Sequence, residues 1–141
     1  MKLPLPSLSL ALLVISATAL AEDFQEPSDA VDAYITGVRT GTGAHIEEAF
    51  ADNAEIQYYN GEGEYQFYSR AEFAALVDDG EPWDAEIEIT NLLRTGKAAN
   101  ATVKFTWGDR SQHGYVDYLN LIHADGGWRI TNKVAQYVAR D

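Results

Sequence analysis

Residues 115–134, with the sequence YVDYLNLIHADGGWRITNKV, carry the strongest indication of the fold of this chain. Apolar and polar residues alternate on both sides of an Asp-Gly-Gly turn at 125–127, a pattern that predicts a β-hairpin. Leu119 and Leu121 share one face of the first strand, and Asp117 lies on the same face. Because a carboxylate on a core-facing surface is costly unless it is paired, Asp117 needs a partner or a polar pocket.

The register of the neighbouring strands predicts what lies beside Asp117. Pairing that keeps apolar residues together gives the following opposite pairs: Leu121–Ile130, Leu119–Asn132, Asp117–Val134, Trp107–Tyr115, Phe105–Asp117 and Val103–Leu119. A slip of one residue would turn the last strand over and bring Arg129, Thr131 and Lys133 against the leucines. The prediction therefore makes Asp117 and Asn132 the two polar residues of an otherwise apolar inner face.

The residues before this hairpin predict helices followed by long strands. Helical spacing of apolar residues follows Pro27, and a second, shorter helix follows His45. An Asn60-Gly61 turn joins strands at 54–59 and 65–68, and a capping box at 69–72 opens a third helix. Strands at 83–93 and 100–107 lead to the final hairpin, so the order predicts an α+β domain.

The first 21 residues have the pattern of a secretory signal peptide. A basic Lys2 precedes an apolar run that ends in Ala19-Leu20-Ala21, which predicts cleavage before Glu22. A membrane anchor would need about 20 apolar residues, and this run is shorter. The sequence therefore predicts an exported protein, periplasmic or secreted, with one domain at 22–141 and no membrane association after cleavage.

Composition narrows the classes of function. The formal net charge of −12 would repel phosphates, which argues against nucleic acid as a partner. The chain has no cysteine, which excludes thiol catalysis and thiolate metal sites. Its three histidines do not have the spacing of a zinc site, and no phosphate loop or serine-nucleophile motif occurs. The sequence thus predicts neither a metal nor a cofactor.

Three segments resemble the NTF2-like superfamily, and within it the putative lumazine-binding subgroup, near the SnoaL-like and DUF4440-type proteins. They are residues 50–54, residues 65–73, and the terminal hairpin with its DGGWRITNK sequence at 125–133. The resemblance implies a cone in which three N-terminal helices pack on a strongly bent antiparallel sheet. It also implies an apolar pocket inside the cone and frequent dimerisation through sheet surfaces. Members include isomerase-like enzymes, cyclases, dehydratases and proteins that only bind, so the fold leaves the function open.

Six residues are candidates for the pocket of such a cone: Tyr34, Tyr58, Phe105, Trp107, Asp117 and Asn132. The first hypothesis is that they bind a small, partly apolar ligand. The second is an isomerase, cyclase or dehydratase in which Asp117 is a general acid or base with a raised pKa. The third is a structural or protein-interaction module with a filled cone, in which Asp117 only fixes the register.

The opposite face of the same strands is predicted to carry Lys104, Tyr118 and Lys133, with Asn120 and Thr131 beside them. Such a mixed polar and aromatic surface suits an isologous contact between two copies of one chain. We therefore expect a homodimer that forms through the outer face of the sheet.

Overall fold

A computed structural model describes residues 24–140, so the predicted signal segment at 1–21 lies outside the described residues. Within residues 24–140 the chain forms three α-helices, one short 3-10 helix at Asp109–Ser111, and six strands. The elements are α1 (Pro27–Thr40), α2 (Gly43–Ala49), β1 (Phe50–Tyr59), β2 (Tyr65–Ser69), α3 (Arg70–Asp79), β3 (Glu86–Thr95), β4 (Ala98–Trp107), β5 (His113–Ala124) and β6 (Gly127–Ala139).

Local sequence determines where the helices begin and end. Helix α1 opens with a capping box between Glu26 and Asp29, and it ends at Gly41, whose φ of 66° is in the left-handed region that glycine tolerates. Helix α3 opens with the predicted capping box, in which Ser69 accepts a hydrogen bond from the backbone N–H of Glu72. No helix among residues 24–140 is long and apolar enough to cross a membrane.

The six strands form one curled, unclosed sheet in the order β2-β1-β6-β5-β4-β3, with the helices packed on it. This architecture confirms the predicted α+β cone. One neighbouring pair differs from the predicted antiparallel pattern, since β1 runs parallel to β6. A parallel pair needs a long connection, and β2, α3 and the strands β3 to β5 supply it here.

The predicted register between β4 and β5 is wrong by two residues. Trp107 pairs with His113 rather than Tyr115, and Asp117 therefore lies opposite Val103 rather than Phe105. Since side chains alternate with a period of two, a two-residue shift leaves every side chain on its predicted face. The apolar pattern could not distinguish the two registers.

The predicted register between β5 and β6 holds only at the turn end of the hairpin. Leu121 lies opposite Ile130 as predicted, but the pairing then shifts so that Asn120 lies opposite Asn132. Thr131 is the extra residue of this β-bulge, and beyond it every residue of β6 points to the face opposite the predicted one. Lys133 is consequently buried on the inner face with 7% of its surface exposed.

The core lies between the helices and the inner face of the sheet. Its largest fully buried side chains are Trp128, Tyr34, Phe50, Phe105, Ile46, Ile56, Leu119 and Ile130. Three of these rings meet directly, since Tyr34 makes edge contacts with Phe50 and Phe105 at centroid distances of 5.4 and 6.0 Å. Asp117 and Lys133 are the buried charged residues among residues 24–140, and both lie beside Tyr34.

Candidate functional site

A buried hydrogen-bonded triad joins helix α1 to strands β5 and β6. The Tyr34 hydroxyl donates to Asp117 Oδ2 at 2.5 Å, and Lys133 Nζ donates to the Tyr34 oxygen at 2.9 Å. Lys133 Nζ also lies 3.5 Å from Asp117 Oδ2, within ion-pair distance. Tyr34 reaches the triad because it lies on the buried stripe of α1, and Lys133 reaches it because the bulge at Thr131 turns β6 over.

Burial and pairing act in opposite directions on the two charged members of the triad. Burial raises the pKa of Asp117 above the ordinary aspartate value, while the charge of Lys133 and the hydrogen bonds from Tyr34 and Lys133 oppose that rise. Burial likewise lowers the pKa of Lys133, and the charge of Asp117 opposes this. Burial, with the charge of Asp117 second, raises the pKa of Tyr34 well above its usual range. Tyr34 therefore stays a neutral phenol that can donate.

Aromatic rings surround the ammonium group of Lys133. Its Nζ lies 4.6 Å from the ring centroid of Phe73, 5.2 Å from that of Tyr34 and 5.4 Å from that of Tyr58. Cation–π attraction at such distances is worth up to about 2 kcal/mol when the cation is desolvated. These rings stabilise the charge of Lys133 without supplying a second hydrogen-bond acceptor.

The triad forms one polar wall of a cavity of about 170 Å³. The lining residues are Tyr34, Val38, Tyr58, Phe73, Val77, Trp83, Tyr115, Asp117 and Lys133. One polar atom of this wall lacks a partner, since Asp117 Oδ1 is buried and makes no hydrogen bond within residues 24–140. Unpaired buried acceptors are uncommon in folded proteins, so this oxygen is a candidate contact for a ligand. The cavity therefore combines apolar, mostly aromatic walls with one concentrated polar point.

The structure brings three of the six predicted site residues to this cavity, namely Tyr34, Tyr58 and Asp117. Phe105 is fully buried and supports the cavity from behind, where it stacks on Trp83 with ring centroids 4.9 Å apart. Trp107 also packs on Trp83, with centroids 5.0 Å apart, and does not line the cavity. The ligand-binding roles proposed for these side chains remain predictions.

Asn132 is not the partner of Asp117, and that prediction is wrong. The bulge at Thr131 places Asn132 opposite Asn120, whose side chain donates to it at 3.0 Å, away from the cavity. Lys133, which the sequence placed on the outer face, takes the predicted place of Asn132 instead. The demand of Asp117 for a cation was the signal that could have identified Lys133, because β5 and β6 offer it few cations.

Metal ligation has no support within residues 24–140, where no group of three or more His, Cys, Asp or Glu side chains comes together. The histidines are dispersed instead. His113 contacts the Tyr137 hydroxyl at 2.5 Å through Nδ1, and His45 lies 3.8 Å from a carboxylate oxygen of Glu48. Both contacts are local pairings between neighbouring side chains.

The three helices packed on a curled, unclosed sheet of six strands define a protein of the NTF2-like class. Residues 22–136 match the family described as "Putative lumazine-binding", and the chain belongs to that family. Both levels of the resemblance inferred from the sequence are thereby confirmed. No protein in the curated comparison matches the chain.

Solved structures agree with this assignment. An NTF2-like protein of unknown function from Silicibacter pomeroyi is 25% identical, with a TM-score of 0.67 over 79% of this chain and 92% of that one. Another from Methylobacillus flagellatus is also 25% identical, with a TM-score of 0.69 over 80% and 90% of the two chains. A ketosteroid isomerase-like protein from Erwinia carotovora atroseptica is 13% identical, with a TM-score of 0.63 over 80% and 94%, and shares the fold.

Proposed function

We propose that this chain is an exported binding protein for a small, uncharged, planar ligand with a single ring inside the cone. The observation that supports this most directly is the cavity itself, whose aromatic walls converge on the triad of Tyr34, Asp117 and Lys133. Mostly apolar pockets with a few convergent polar groups are the usual form of small-molecule sites.

The size of the cavity supports a ligand of one ring. Its volume of about 170 Å³ is close to that of an engineered 150 Å³ protein cavity that binds benzene. A second fused ring or a side chain would have to extend through the opening of the cavity towards solvent. Lumazine, which the family description names, is a bicyclic dione, so its dione ring alone would be enclosed.

The charges of the site support a neutral ligand. Lys133 already neutralises Asp117, and an additional charge would enter the cavity without a counterion at a large desolvation cost. The unpaired Oδ1 of Asp117 accepts a hydrogen bond, so it favours a ligand with an N–H or O–H donor. A donor beside a carbonyl group, as in a cyclic amide or imide, would satisfy Asp117 and accept from Lys133.

Isothermal titration calorimetry with matched probes tests this proposal. We expect 2-pyridone, a single uncharged ring with adjacent N–H and C=O groups, to bind more tightly than its N-methyl derivative. Leaving a buried acceptor unpaired costs about 1–3 kcal/mol, or roughly 5- to 150-fold in Kd. Lumazine tests whether a ligand with a second ring binds, and benzoate tests whether a charged ligand binds.

Two variants locate the binding. Asp117→Asn should remove the preference for 2-pyridone over its N-methyl derivative, because the acceptor that distinguishes them is changed. Asn132→Ala is the matched control, since Asn132 lies outside the cavity, and it should leave every Kd unchanged. Equal binding of 2-pyridone and its N-methyl derivative by the native protein, or tighter binding of benzoate, would contradict the proposed ligand class.

Catalysis by Asp117 is a second candidate function, and the burial that raises its pKa favours it. A general base of this kind would exchange a proton on carbon beside the ligand carbonyl. Deuterium incorporation into small cyclic ketones in D₂O, monitored by NMR with the native protein and Asp117→Asn, measures this directly. Exchange that is equal for both proteins would exclude Asp117 as the base.

Export is the remaining part of the proposal, and the signal-peptide pattern at 1–21 supports it. Expression of the full chain in a Gram-negative host, followed by mass determination of the periplasmic protein, tests cleavage before Glu22. A full-length protein retained in the cytoplasm would refute it.

A further inference from the structure

We propose that Lys133 forms a reversible imine with an aldehyde or ketone that enters the cavity. This inference rests on the cavity assigned above and adds a covalent step to it. Lys133 lines the cavity, and its side chain is 9% exposed, so a carbonyl compound can meet its amine only from inside. Desolvated lysines in apolar pockets are the nucleophiles of Schiff-base chemistry.

The surroundings of Lys133 act on its ammonium form in both directions. Burial lowers the pKa of Lys133, whereas the charge of Asp117 opposes that shift. The three aromatic rings whose centroids lie within 5.4 Å of Nζ also stabilise the cation. The ammonium paired with Asp117 is therefore the resting form, and burial reduces the free energy needed to reach the amine. The cavity holds that amine in reach of a bound ligand.

The triad supplies a route for the proton that the ammonium group must lose. Lys133 Nζ donates to the Tyr34 oxygen at 2.9 Å, and the Tyr34 hydroxyl donates to Asp117 Oδ2 at 2.5 Å. A concerted shift of both protons converts the ammonium and carboxylate into a neutral amine and a neutral carboxylic acid. Tyr34 is unchanged at the end, and no proton leaves the site.

The chemical balance closes without any further reactant. The lone pair of Nζ attacks the carbonyl carbon, and a C–N bond forms as the π bond of the carbonyl group breaks. The carbonyl oxygen takes a proton from Tyr34, and Tyr34 takes the proton of Asp117 in turn. The resulting carbinolamine then passes an N–H proton back through the triad to its hydroxyl. The C–O bond breaks, water leaves, and the nitrogen pair forms the C=N bond. One amine, one carbonyl compound and the proton from Asp117 thus yield one water and one protonated imine, which is paired with the Asp117 carboxylate.

Reductive trapping tests the imine. The purified protein is incubated with benzaldehyde and cyanoborohydride at pH 7, and modified lysines are mapped by peptide mass spectrometry. The chain has only four lysines, of which Lys97 is exposed and provides an internal reference. We expect Lys133 to be labelled at least about tenfold faster than Lys97, because desolvation provides free amine and the cavity concentrates the aldehyde.

Two further measurements separate chemistry from binding. Tyr34→Phe keeps the ring and removes the relay hydroxyl, so it should slow labelling of Lys133 about tenfold or more while Lys97 is unaffected. Excess 2-pyridone should protect Lys133 and leave Lys97 unchanged. Lys133→Arg should abolish the cavity label.

The outcomes distinguish the imine proposal from the binding proposal. Labelling of Lys133 no faster than Lys97, with 2-pyridone still bound, overturns the imine and leaves the binding proposal intact. Rapid labelling of Lys133 without binding of 2-pyridone supports the imine and refutes the donor-bearing ligand. Failure of both measurements refutes both proposals. Labelling of Lys133 at an unchanged rate in Tyr34→Phe would overturn the assigned relay.

Discussion

Replacing Lys133 with methionine should destabilise the protein by about 3–5 kcal/mol at pH 7, because it removes the counterion of a buried carboxylate. The magnitude follows from the geometry of the pair. Asp117 is 1% exposed and lies 3.5 Å from Lys133 Nζ. At that distance, with an effective dielectric constant of 20, the attraction is about 5 kcal/mol. Methionine keeps most of the side-chain volume, so a cavity adds little to this cost.

The assay is urea unfolding followed by tryptophan fluorescence, repeated at several pH values with the native protein and Lys133→Met. Lys133 acts to lower the pKa of Asp117, so its removal raises that pKa further. A carboxyl whose pKa is higher in the folded than in the unfolded state contributes stability at low pH and loses it as the pH rises. The deficit of the variant should therefore be small near pH 4 and reach its full size at neutral pH.

The double variant Asp117→Asn/Lys133→Met provides the control, since it removes the uncompensated charge. It should recover much of the lost stability, whereas two independent substitutions would add their costs. The reasoning is refuted if Lys133→Met costs less than about 1 kcal/mol at pH 7, or if its cost does not change between pH 4 and pH 7.

Further predictions concern the other elements of the fold. Tyr34→Phe should cost about 1.5–3 kcal/mol in urea unfolding, since it removes a hydrogen bond to a charged group; an unchanged midpoint would contradict this. Carboxyl NMR should find the pKa of Asp117 above 3.8, and higher still in Tyr34→Phe, because the Tyr34 hydrogen bond lowers it. Phe105→Ala should cost about 3–5 kcal/mol, because Phe105 is fully buried against Tyr34 and Trp83. Tyr118 is 53% exposed on the outer face, and Tyr118→Lys should dissociate the predicted homodimer in light scattering, whereas a monomeric native protein would refute that dimer.

The alternating sequence predicts the faces of the strands better than it predicts their partners. Asp117, Leu119 and Leu121 share the inner face as expected, and the capping box at Ser69 opens α3 where the sequence places it. The β4–β5 register was wrong by two residues because such a slip leaves every face unchanged. Where the ladder is regular, as between β4 and β5, the pattern determines which side of the sheet a residue occupies and leaves its exact neighbour open.

The candidate site was only partly predictable for a different reason. Thr131, Asn132 and Lys133 are all polar, so no apolar residue marks the position of the bulge, and the alternation carries no signal there. Tyr34 lies 83 residues from Asp117, and the approach of α1 to the sheet depends on the packing of the whole cone. Tyr34 was nevertheless among the predicted candidates, and only the need of a buried carboxylate for a cation pointed to Lys133, which the sequence analysis had placed on the outer face.

The bulge at Thr131 lets a strand of consecutive polar residues hold an amine inside the cone. If the same residues paired with β5 in a regular ladder, Asn132 and Val134 would face inward and Lys133 would turn towards solvent. That cone would have no interior cation, and Asp117 would be an isolated acid. A relative without the extra residue would instead keep its lysine inside, because deleting Thr131 leaves Lys133 on the inner face of a regular ladder. A one-residue gap at this point of an alignment therefore preserves the interior of the cavity, and an alignment that places the gap elsewhere in the strand would hide the shared lysine.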